Sequence, residues 1–527
     1  MSFSKGINAS AATLTRNRTP GSVCPTSGMC ATCQEGCTGL CEVGRSAYRG
    51  REVIYPQPFG PITAAAEKDY PIDLSHFNIM GTTVGAQGIE PDSDKAIFPA
   101  VNIESAVGAN GQIKLKLPVV ISGLGSTNVA SQNWEGLAIG AAISGVIATI
   151  GENVCGMDPD AEFSSGRVVR SPDMERRVKL FQKWYNGYGT IVVQSNVEDT
   201  KLGVLEYVID KLGVEAVELK WGQGAKDIGG EVKLNSLERA LQLKSRGYIV
   251  HPDPEDPTVQ EAFRQGAFKE FERHSRLGMV EYDSFLARVE QLRRHGAKYV
   301  FLKTGAYRPA DLARAVKYAS DARIDLLTVD GAGGGTGMSP WRMMNEWGIP
   351  TVYLECLLYK YLNKLAERGK FIPSVAIAGG FALEDQVFKG LALGAPYIKA
   401  VGMARAPLTA AMVGKTLGEA IKNGKVPAEI SNKYGTTLEQ IFVAASELKA
   451  KYGEAFAEIP PGAIGVYTFF ERLSVGLKQL MCGARKFALQ YITRDDLVAL
   501  TPEAARLSGI PYVMDLDAEE AERILES

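Results

Sequence analysis

Residues 326–340 read Leu-Leu-Thr-Val-Asp-Gly-Ala-Gly-Gly-Gly-Thr-Gly-Met-Ser-Pro. An apolar run over residues 326–329 stops at Asp330, and five glycines follow between Gly331 and Gly337. This pattern is typical of a buried strand that opens into a loop. Because glycine has no Cβ, its backbone can approach a ligand closely. We therefore expect the loop to lie against a flat or charged group, with a flexible surface loop as the alternative.

Other apolar stretches of similar length predict further strands of the same kind. Together the predicted strands cover residues 119–122, 146–150, 191–194, 216–219, 299–303, 326–329, 374–378 and 397–401. Helical patterns separate them, which indicates a parallel sheet covered on both faces. Eight such units favour an α/β fold of the (β/α)₈ TIM-barrel type over an open doubly wound sheet. Two weaker strand candidates, residues 248–250 and 351–354, leave the count open.

The chain divides into three predicted regions. Residues 1–60 form an irregular cysteine-rich arm, and residues 61–410 form the barrel. A charged, helix-rich insertion is expected at residues 255–296, with His274 and His295 on its surface. Residues 411–527 are predicted to form a helical extension packed on the barrel. Within it, Thr501 followed by Pro502 is a helix start.

Composition excludes several classes of function. The net charge of −2 gives no reason to expect a nucleic acid or an anionic membrane as partner. No apolar run reaches the ~20 residues that a membrane-spanning helix requires. The first residues lack the apolar segment of a secretory signal. A soluble, cytoplasmic protein is therefore expected.

Polar residues at the ends of the predicted strands indicate a catalytic or binding site. In (β/α)₈ barrels the active site lies at the carboxyl ends of the strands. Six polar residues end separate strands or follow them directly: Ser122, Glu152, Gln194, Lys220, Lys303 and Asp330. A lysine buried at such a position needs an anionic partner. We expect Lys303 to bind a ligand or to act in catalysis, rather than to be a structural lysine.

Glycines after the last two strands indicate a phosphate site. Gly379 and Gly380 end the seventh predicted strand, and Gly402 ends the eighth. Backbone N–H groups at these positions of a barrel often hold a phosphate. The run at Gly331–Gly337 does not match the dinucleotide fingerprint, because Thr336 stands where the third glycine is required. A phosphate-bearing cofactor other than a nicotinamide dinucleotide is therefore expected.

Five motifs in order resemble the FMN-binding domain of glutamate synthases. They are Pro-Val-Val-Ile-Ser-Gly-Leu-Gly-Ser from residue 118, Ala-Thr-Ile-Gly-Glu-Asn from 148, Glu-Leu-Lys-Trp-Gly-Gln-Gly-Ala-Lys from 218, the glycine run from 329, and Val-Ala-Ile-Ala-Gly-Gly from 375. The resemblance extends from about residue 80 to about residue 515. It includes the closing Asp-Leu-Val-Ala-Leu-Thr-Pro-Glu-Ala-Ala from residue 496.

The resemblance implies a role for each matching residue. Lys303 would stabilise the reduced flavin near N1 and O2, and Gln194 would reach the flavin edge. The substrate, a dicarboxylate, would face Lys220, Gln223 and Lys226, with Glu152 as acid–base or orienting group. The remaining cofactor contacts would come from Ser122, Gly123, Gly151, Asp330, Gly333, Gly334, Gly379, Gly380, Gly402 and Ala404.

The function implied is that of an FMN-dependent oxidoreductase acting on CH–NH₂ donors. Glutamate synthesis from 2-oxoglutarate and ammonia is the expected reaction. The alternatives are an FMN oxidoreductase for another substrate, such as a 2-hydroxy acid, an amino acid or an N-alkylglutamate, and a flavin electron-transfer subunit of a larger complex. A ferredoxin-like or reductase electron donor, a separate glutaminase subunit and an oligomeric state are also expected.

Three departures from the family pattern bear on this expectation. We expect the amidotransferase domain of full-length glutamate synthases to be absent, since its catalytic cysteine would be N-terminal and here Met1 is followed by Ser2. The family's iron–sulfur cysteines follow the last barrel strand, whereas residues 401–412 contain none. The insertion at residues 255–296 would reshape the substrate pocket.

A cysteine-rich segment near the start of the chain offers another electron site. Its five cysteines are Cys24, Cys30, Cys33, Cys37 and Cys41. Thiolates this dense favour Zn²⁺ or an iron–sulfur cluster. Four of them would complete one [4Fe–4S] cluster, with Cys24 or Cys41 spare. A flavin oxidoreductase needs an electron path, which favours the cluster over zinc or free thiols.

Overall fold

A closed barrel of eight parallel strands forms the centre of the molecule. The computed structural model describes residues 35–39, 41–50, 70–224, 228, 231–334, 343 and 346–527. In chain order the barrel strands, β1 to β8, are Val119–Leu124, Ile147–Ile150, Ile191–Ser195, Ala216–Lys220, Tyr299–Thr304, Leu326–Asp330, Ser374–Ala378 and Ile398–Met403. Each predicted strand coincides with one of these to within about two residues. The predicted (β/α)₈ fold is confirmed.

A helix follows each barrel strand and covers its outer face. These helices are Asn128–Ser144, Pro172–Trp184, Val204–Leu212, Tyr282–His295, Pro309–Asp321, Thr351–Ala366, Glu384–Leu393 and Arg405–Lys422. Local sequence sets several of their starts. For example, the Ser171 hydroxyl accepts a hydrogen bond from the Met174 amide, and Pro172 occupies the first helical position.

A β-hairpin closes the amino-terminal end of the barrel. Its strands, Ser105–Val107 and Ile113–Leu115, pair antiparallel. Val107, Ile113 and Leu115 pack against the first inward-facing side chains of the barrel strands. That apolar layer comprises Val120, Ile147, Val192, Ala216, Tyr299, Phe301, Leu326, Ala376 and Ala400. Apolar side chains therefore fill the interior at this end, and a ligand is expected at the carboxyl end of the barrel.

Neither of the two weaker strand candidates belongs to the barrel. Residues 351–354 begin the helix Thr351–Ala366, so the prediction of a strand there is wrong. Leu354, Leu358 and Leu362 recur at helical spacing and are buried, which favours the helix over the local β propensity of Thr-Val-Tyr. Residues 248–250 overlap the strand Ile249–His251, which lies in a separate sheet.

That separate sheet lies between β4 and β5 in the chain. Its three antiparallel strands are ordered Glu231–Leu234, Phe271–His274 and Ile249–His251. The helices Leu237–Ser245 and Pro257–Arg264 connect them. The region predicted as a helix-rich insertion thus contains a strand as well, and its last helix, Tyr282–His295, covers the barrel. His295 is exposed and His274 is half-buried.

The carboxyl-terminal extension packs against the start of the barrel. Its longest helix, Pro461–Gly483, contacts Asn128–Ser144 and Arg405–Lys422. Close approach needs small residues, since a Cβ at Gly136 would lie 2.9 Å from the Gly462 carbonyl carbon. The other helices of the extension are Ala428–Tyr434, Leu438–Ile441, Ala445–Tyr452, Pro502–Ser508 and Ala518–Glu526. The helix start predicted at Thr501 is confirmed.

Two further elements connect the ends of the described chain to the barrel. The strand Leu497–Ala499 pairs antiparallel with Phe77–Ile79, so the extension is not wholly helical. The helix Glu42–Arg49 packs between Arg405–Lys422 and Pro461–Gly483. Across the described residues, no helix is both long enough and apolar enough to cross a membrane.

Candidate active site

A polar layer lies directly above the apolar layer in the barrel interior. In a strand, residues two positions apart point to the same face. Six of the apolar residues are followed, two residues later in the same strand, by a buried polar residue that also faces inward. These polar residues are Ser122, Thr149, Gln194, Glu218, Lys303 and Thr328. On β7 and β8 the corresponding residues are the small Ala378 and Gly402. The interior therefore changes from apolar to polar toward the carboxyl end, as a ligand site requires.

Some polar atoms in this layer have no partner within the described structure. The Ser122 hydroxyl, the Gln194 amide oxygen and the Thr328 hydroxyl are buried without a hydrogen bond. Buried polar groups are nearly always hydrogen-bonded in native proteins, to protein, water or ligand. Three such atoms in one layer mark the place where a polar ligand fits.

Lys303 carries the buried positive charge that the sequence predicted. Its Nζ lies 3.2 Å from Asp330 Oδ2 across β5 and β6, and both side chains are almost wholly buried. Burial alone would lower the pKa of Lys303, but the carboxylates of Asp330 and Glu218 raise it above its usual value. Lys303 therefore places a positive charge within the polar layer.

Glu218 was not predicted as a site residue. Its buried carboxylate accepts a hydrogen bond from Gln194 Nε2 and lies near Lys303. Burial raises the pKa of Glu218, while Lys303 and the Gln194 amide act in the opposite direction. The alternation Ala216-Val-Glu-Leu-Lys could have revealed it, because Glu218 shares its face with Lys220.

A second charged cluster lies at the carboxyl end of β4. Lys220 Nζ is 2.7 Å from Glu152 Oε1 and 2.7 Å from Gln223 Oε1. Lys220 ends β4, Gln223 lies in the loop after it and Glu152 follows β2, and Lys220 and Glu152 are mostly buried. An ammonium group has three N–H donors, and the described residues provide acceptors for two of those of Lys220, which leaves one for a ligand. Lys226, which was predicted to join this cluster, lies outside the described residues.

The glycines after β7 and β8 meet the geometric needs of a phosphate site. Gly379 and Gly380 have φ of +121° and +107°, values that side chains rarely allow. Among the described residues, a Cβ on Gly380 would contact only the Gly333 carbonyl oxygen, at 3.8 Å. Nearby, Ala404 begins the 18-residue helix Arg405–Lys422 without a side-chain cap. The partial positive charge at the start of a helix favours an anion.

Gly123, near the end of β1, and Gly151, directly after β2, lie close together. A Cβ on Gly151 would lie 2.6 Å from the Gly125 nitrogen, and one on Gly123 would lie 2.8 Å from Gln194 Oε1. On the opposite side, Gly402 approaches Ser122, whose Oγ would be 3.0 Å from a Cβ at residue 402. Small residues thus surround the unpartnered Ser122 and Gln194 atoms.

The glycine-rich loop packs against the protein itself. A side chain at Gly334 would clash with the Asp330 carboxylate, and one at Gly333 would lie 2.6 Å from the Gly379 carbonyl oxygen. The Thr351 hydroxyl donates to the same Gly379 oxygen at 2.6 Å. These contacts join the loops after β6 and β7. Residues 335–340 lie outside the described structure.

A buried polar cluster supports the turn that carries Glu152. The next residue, Asn153, has φ of +67°, and its amide donates to Asp199 Oδ2 at 2.9 Å. Tyr248 donates to Asn153 Oδ1 at 3.3 Å. Arg273, from the three-stranded sheet, is buried and its guanidinium group lies over the Tyr248 ring. The inserted sheet therefore reaches the back of the candidate site, which sequence reasoning had predicted only in general terms.

The cysteine-rich arm is described only in part. Cys24, Cys30 and Cys33 lie outside the described residues, whereas Cys37 is half-buried and Cys41 is buried as the N-cap of Glu42–Arg49. Among the described residues, no three His, Cys, Asp or Glu side chains are placed to hold a metal. The iron–sulfur cluster therefore gains no support and stays a prediction.

A charged site at the carboxyl ends of a closed parallel barrel is the arrangement of (β/α)₈-barrel enzymes. Residues 275–415 match the model of a protein family described as the conserved region in glutamate synthase. This match covers β5 to β8 and confirms the predicted resemblance to the glutamate synthase family.

Two kinds of known protein are similar to this chain. Over 187 residues it is 27% identical to the glutamate synthase large subunit-like protein YerD of Bacillus subtilis (strain 168), an alignment that spans 35% of this chain and 32% of that protein. Among solved structures, an oxidized active mutant of (S)-mandelate dehydrogenase superposes with a TM-score of 0.42 at 13% identity, over 86% of this chain and 91% of the other. A second (S)-mandelate dehydrogenase structure, of the monotopic membrane protein, gives 0.40 at 12% identity, over 80% and 88%.

Proposed function

We propose that this protein is an FMN-dependent oxidoreductase that makes glutamate from 2-oxoglutarate and ammonia. The observation that carries the proposal is the pair of lysines at the carboxyl end of the barrel. Lys303 lies buried within the polar layer, and Lys220 lies above it beside Glu152 and Gln223. The glutamate synthase family match, which includes Lys303, supports the flavin oxidoreductase class.

The barrel residues fit FMN as the cofactor. Gly379, Gly380 and the start of the helix after Ala404 would hold the phosphate through backbone N–H groups. Ser122 and Gln194 would satisfy their unpaired atoms on the flavin, and Lys303 would favour negative charge beside it. When bound, FMN supplies the two-electron reducing chemistry.

The cluster at Lys220 suits a dicarboxylic substrate. Lys220 would bind one carboxylate by a charge-assisted hydrogen bond through its free N–H, and Gln223 would orient that lysine. Glu152 is held 2.7 Å from Lys220 and would move a proton at the substrate nitrogen. Lys226 is proposed for the second carboxylate. A 2-iminodicarboxylate needs these contacts, whereas a monocarboxylate would leave one cation unpaired.

The experiment is anaerobic reduction of the FMN-loaded protein, followed by reoxidation with 2-oxoglutarate plus ammonia. Flavin reoxidation by that pair, but by neither compound alone, is the expected result. If the reduced protein is inert to the pair and is reoxidised by another imino or 2-oxo acid, the substrate assignment is wrong. A protein that keeps its fold but binds no FMN contradicts the flavin assignment itself.

A matched pair of variants tests the role of Lys220. K220M should keep FMN but lose about 10- to 100-fold in the rate of reoxidation at limiting 2-oxoglutarate, the effect of one charge-assisted hydrogen bond. K244M is the control, because Lys244 lies on the helix Leu237–Ser245, outside the barrel, where it pairs with Asp253 and Glu255. Both variants should react equally with ferricyanide. Equal reoxidation of K220M and K244M by the substrate pair would contradict the proposed carboxylate site.

A further inference from the structure

The amide of Gln194 is held in one orientation by its neighbour Glu218. Gln194 Nε2 donates to Glu218 Oε1, and both side chains are buried. A carboxylate can only accept hydrogen bonds, so the NH₂ end of the amide must face Glu218. Burial raises the pKa of Glu218, and the charge of nearby Lys303 and the hydrogen bond from Gln194 oppose that rise. Gln194 Oε1 is therefore turned away from Glu218.

That oxygen is an acceptor without a donor. Gln194 Oε1 is buried and has no hydrogen-bond partner in the described structure. It lies beside Gly123, where a Cβ would be only 2.8 Å away. A side chain at residue 123 would clash with this oxygen, so the close approach of the two strands requires glycine there. The protein thus presents a C=O group, and not an N–H group, at this point.

We propose that Glu218 fixes Gln194 as an acceptor that selects a ligand with an N–H group beside the atom that faces Lys303. The inference rests on the proposed function and names the N–H concerned. Oxidised isoalloxazine has one N–H, at N3, next to the C2 carbonyl. Lys303 would face that carbonyl, and Gln194 Oε1 would accept from N3–H. Glu218 is thus a positioning residue that acts through Gln194.

The test compares binding of FMN and of N3-methyl-FMN, which lacks the N–H, to the apoprotein by fluorescence titration. Wild-type protein should prefer FMN. In E218Q the amide of Gln194 is free to turn its NH₂ group toward N3–H. FMN affinity should then fall about tenfold, the effect of one hydrogen bond, while the affinity for N3-methyl-FMN changes by less than about twofold.

Two further variants make the result specific. E355Q is the matched control, because Glu355 is a fully buried glutamate on the helix Thr351–Ala366, outside the barrel interior. It should keep the wild-type preference. The exchange variant Q194E/E218Q restores an amide–carboxylate pair and leaves a carboxylate oxygen where Oε1 was. It should therefore recover the preference for FMN.

The outcomes separate this inference from the proposed function. If folded wild-type protein binds neither flavin, the FMN assignment fails, and this inference fails with it. If wild-type protein prefers FMN and E218Q keeps the same preference, only the role of Glu218 is overturned. If E218Q does not fold, the exchange variant decides, since loss of its preference for FMN would overturn the inference.

Discussion

Asp199 is expected to make the stability of this protein fall as the pH rises toward neutrality. Its carboxyl group is buried behind the Glu152 turn, and one oxygen, Oδ1, has no hydrogen-bond partner in the described structure. Burial raises the pKa of Asp199 from 3.8 to about 7, and the charge of Glu152 adds to this. Hydrogen bonds from the Asn153 and Asn196 amides and the charge of Arg273 oppose the rise only in part.

The sign and size of the effect follow from linkage. The folded protein retains a proton that the unfolded chain releases above pH 3.8, so the stabilising contribution is complete below that pH and is lost as the pH rises to about 7. At about 1.4 kcal/mol per pH unit, the interval between 3.8 and about 7 corresponds to about 4 kcal/mol. D199N cannot titrate. Relative to wild type it should gain about 4 kcal/mol in free energy of unfolding between these two pH values.

Urea unfolding of both proteins, followed by tryptophan fluorescence at half-unit pH steps, measures this difference. D158N is the control for replacing a buried aspartate, since Asp158 Oδ2 accepts hydrogen bonds from Ser171 Oγ and the Asp173 amide. If the difference between D199N and wild type stays constant within about 1 kcal/mol from pH 4 to pH 8, Asp199 is ionised in the folded protein and the reasoning is refuted.

Three other predictions test the buried charges and the arm. K303M should lower the free energy of unfolding by about 3–5 kcal/mol, because it leaves Asp330 uncompensated; K303M/D330N should recover most of that loss in thermal melts. E355Q should raise the melting temperature at pH 8 more than at pH 4, because burial raises the pKa of Glu355 well above its usual value and both its oxygens lack partners; an equal rise at both pH values would contradict this. Iron and acid-labile sulfide analysis should find about four of each per chain, whereas zinc or no metal would contradict the predicted cluster.

The fold could be predicted because barrel strands are buried on both faces and are therefore mostly apolar. All four residues of β2 are buried, and such continuous runs are recognisable without any knowledge of partners. The error at residues 351–354 has the opposite cause. Thr-Val-Tyr has strand propensity, and only the later leucines reveal the helical period. Of the inserted sheet only one strand was predicted, as the weaker candidate at residues 248–250, because its strands are only three or four residues long.

The site was predicted less completely than the fold. Residues such as Lys303 and Glu152 are recognisable in the sequence because each is a charged residue at or just after the end of an apolar strand. In a (β/α)₈ barrel the carboxyl ends of the strands form the active site. Glu218 lies within its strand, where a charge is normally excluded, and its role depends on a hydrogen bond to Gln194 on the neighbouring strand. The environment of Asp199 depends on residues of the insertion, such as Arg273, that lie far from it in the sequence. Contacts between distant segments are not encoded in local spacing.

The glycine-rich loop shows why a residue pattern and its physical cause have to be distinguished. The pattern predicted a loop against a flat or charged group, and for the described glycines the charged group is the protein's own Asp330 carboxylate. Gly331 and Gly333 are equally constrained, by Thr351 and by the Gly379 carbonyl. A side chain at Gly334 would displace Asp330, and Lys303 would then lose the anion 3.2 Å away. These glycines therefore influence the site indirectly: they leave room for the Asp330 carboxylate, which in turn holds the buried Lys303.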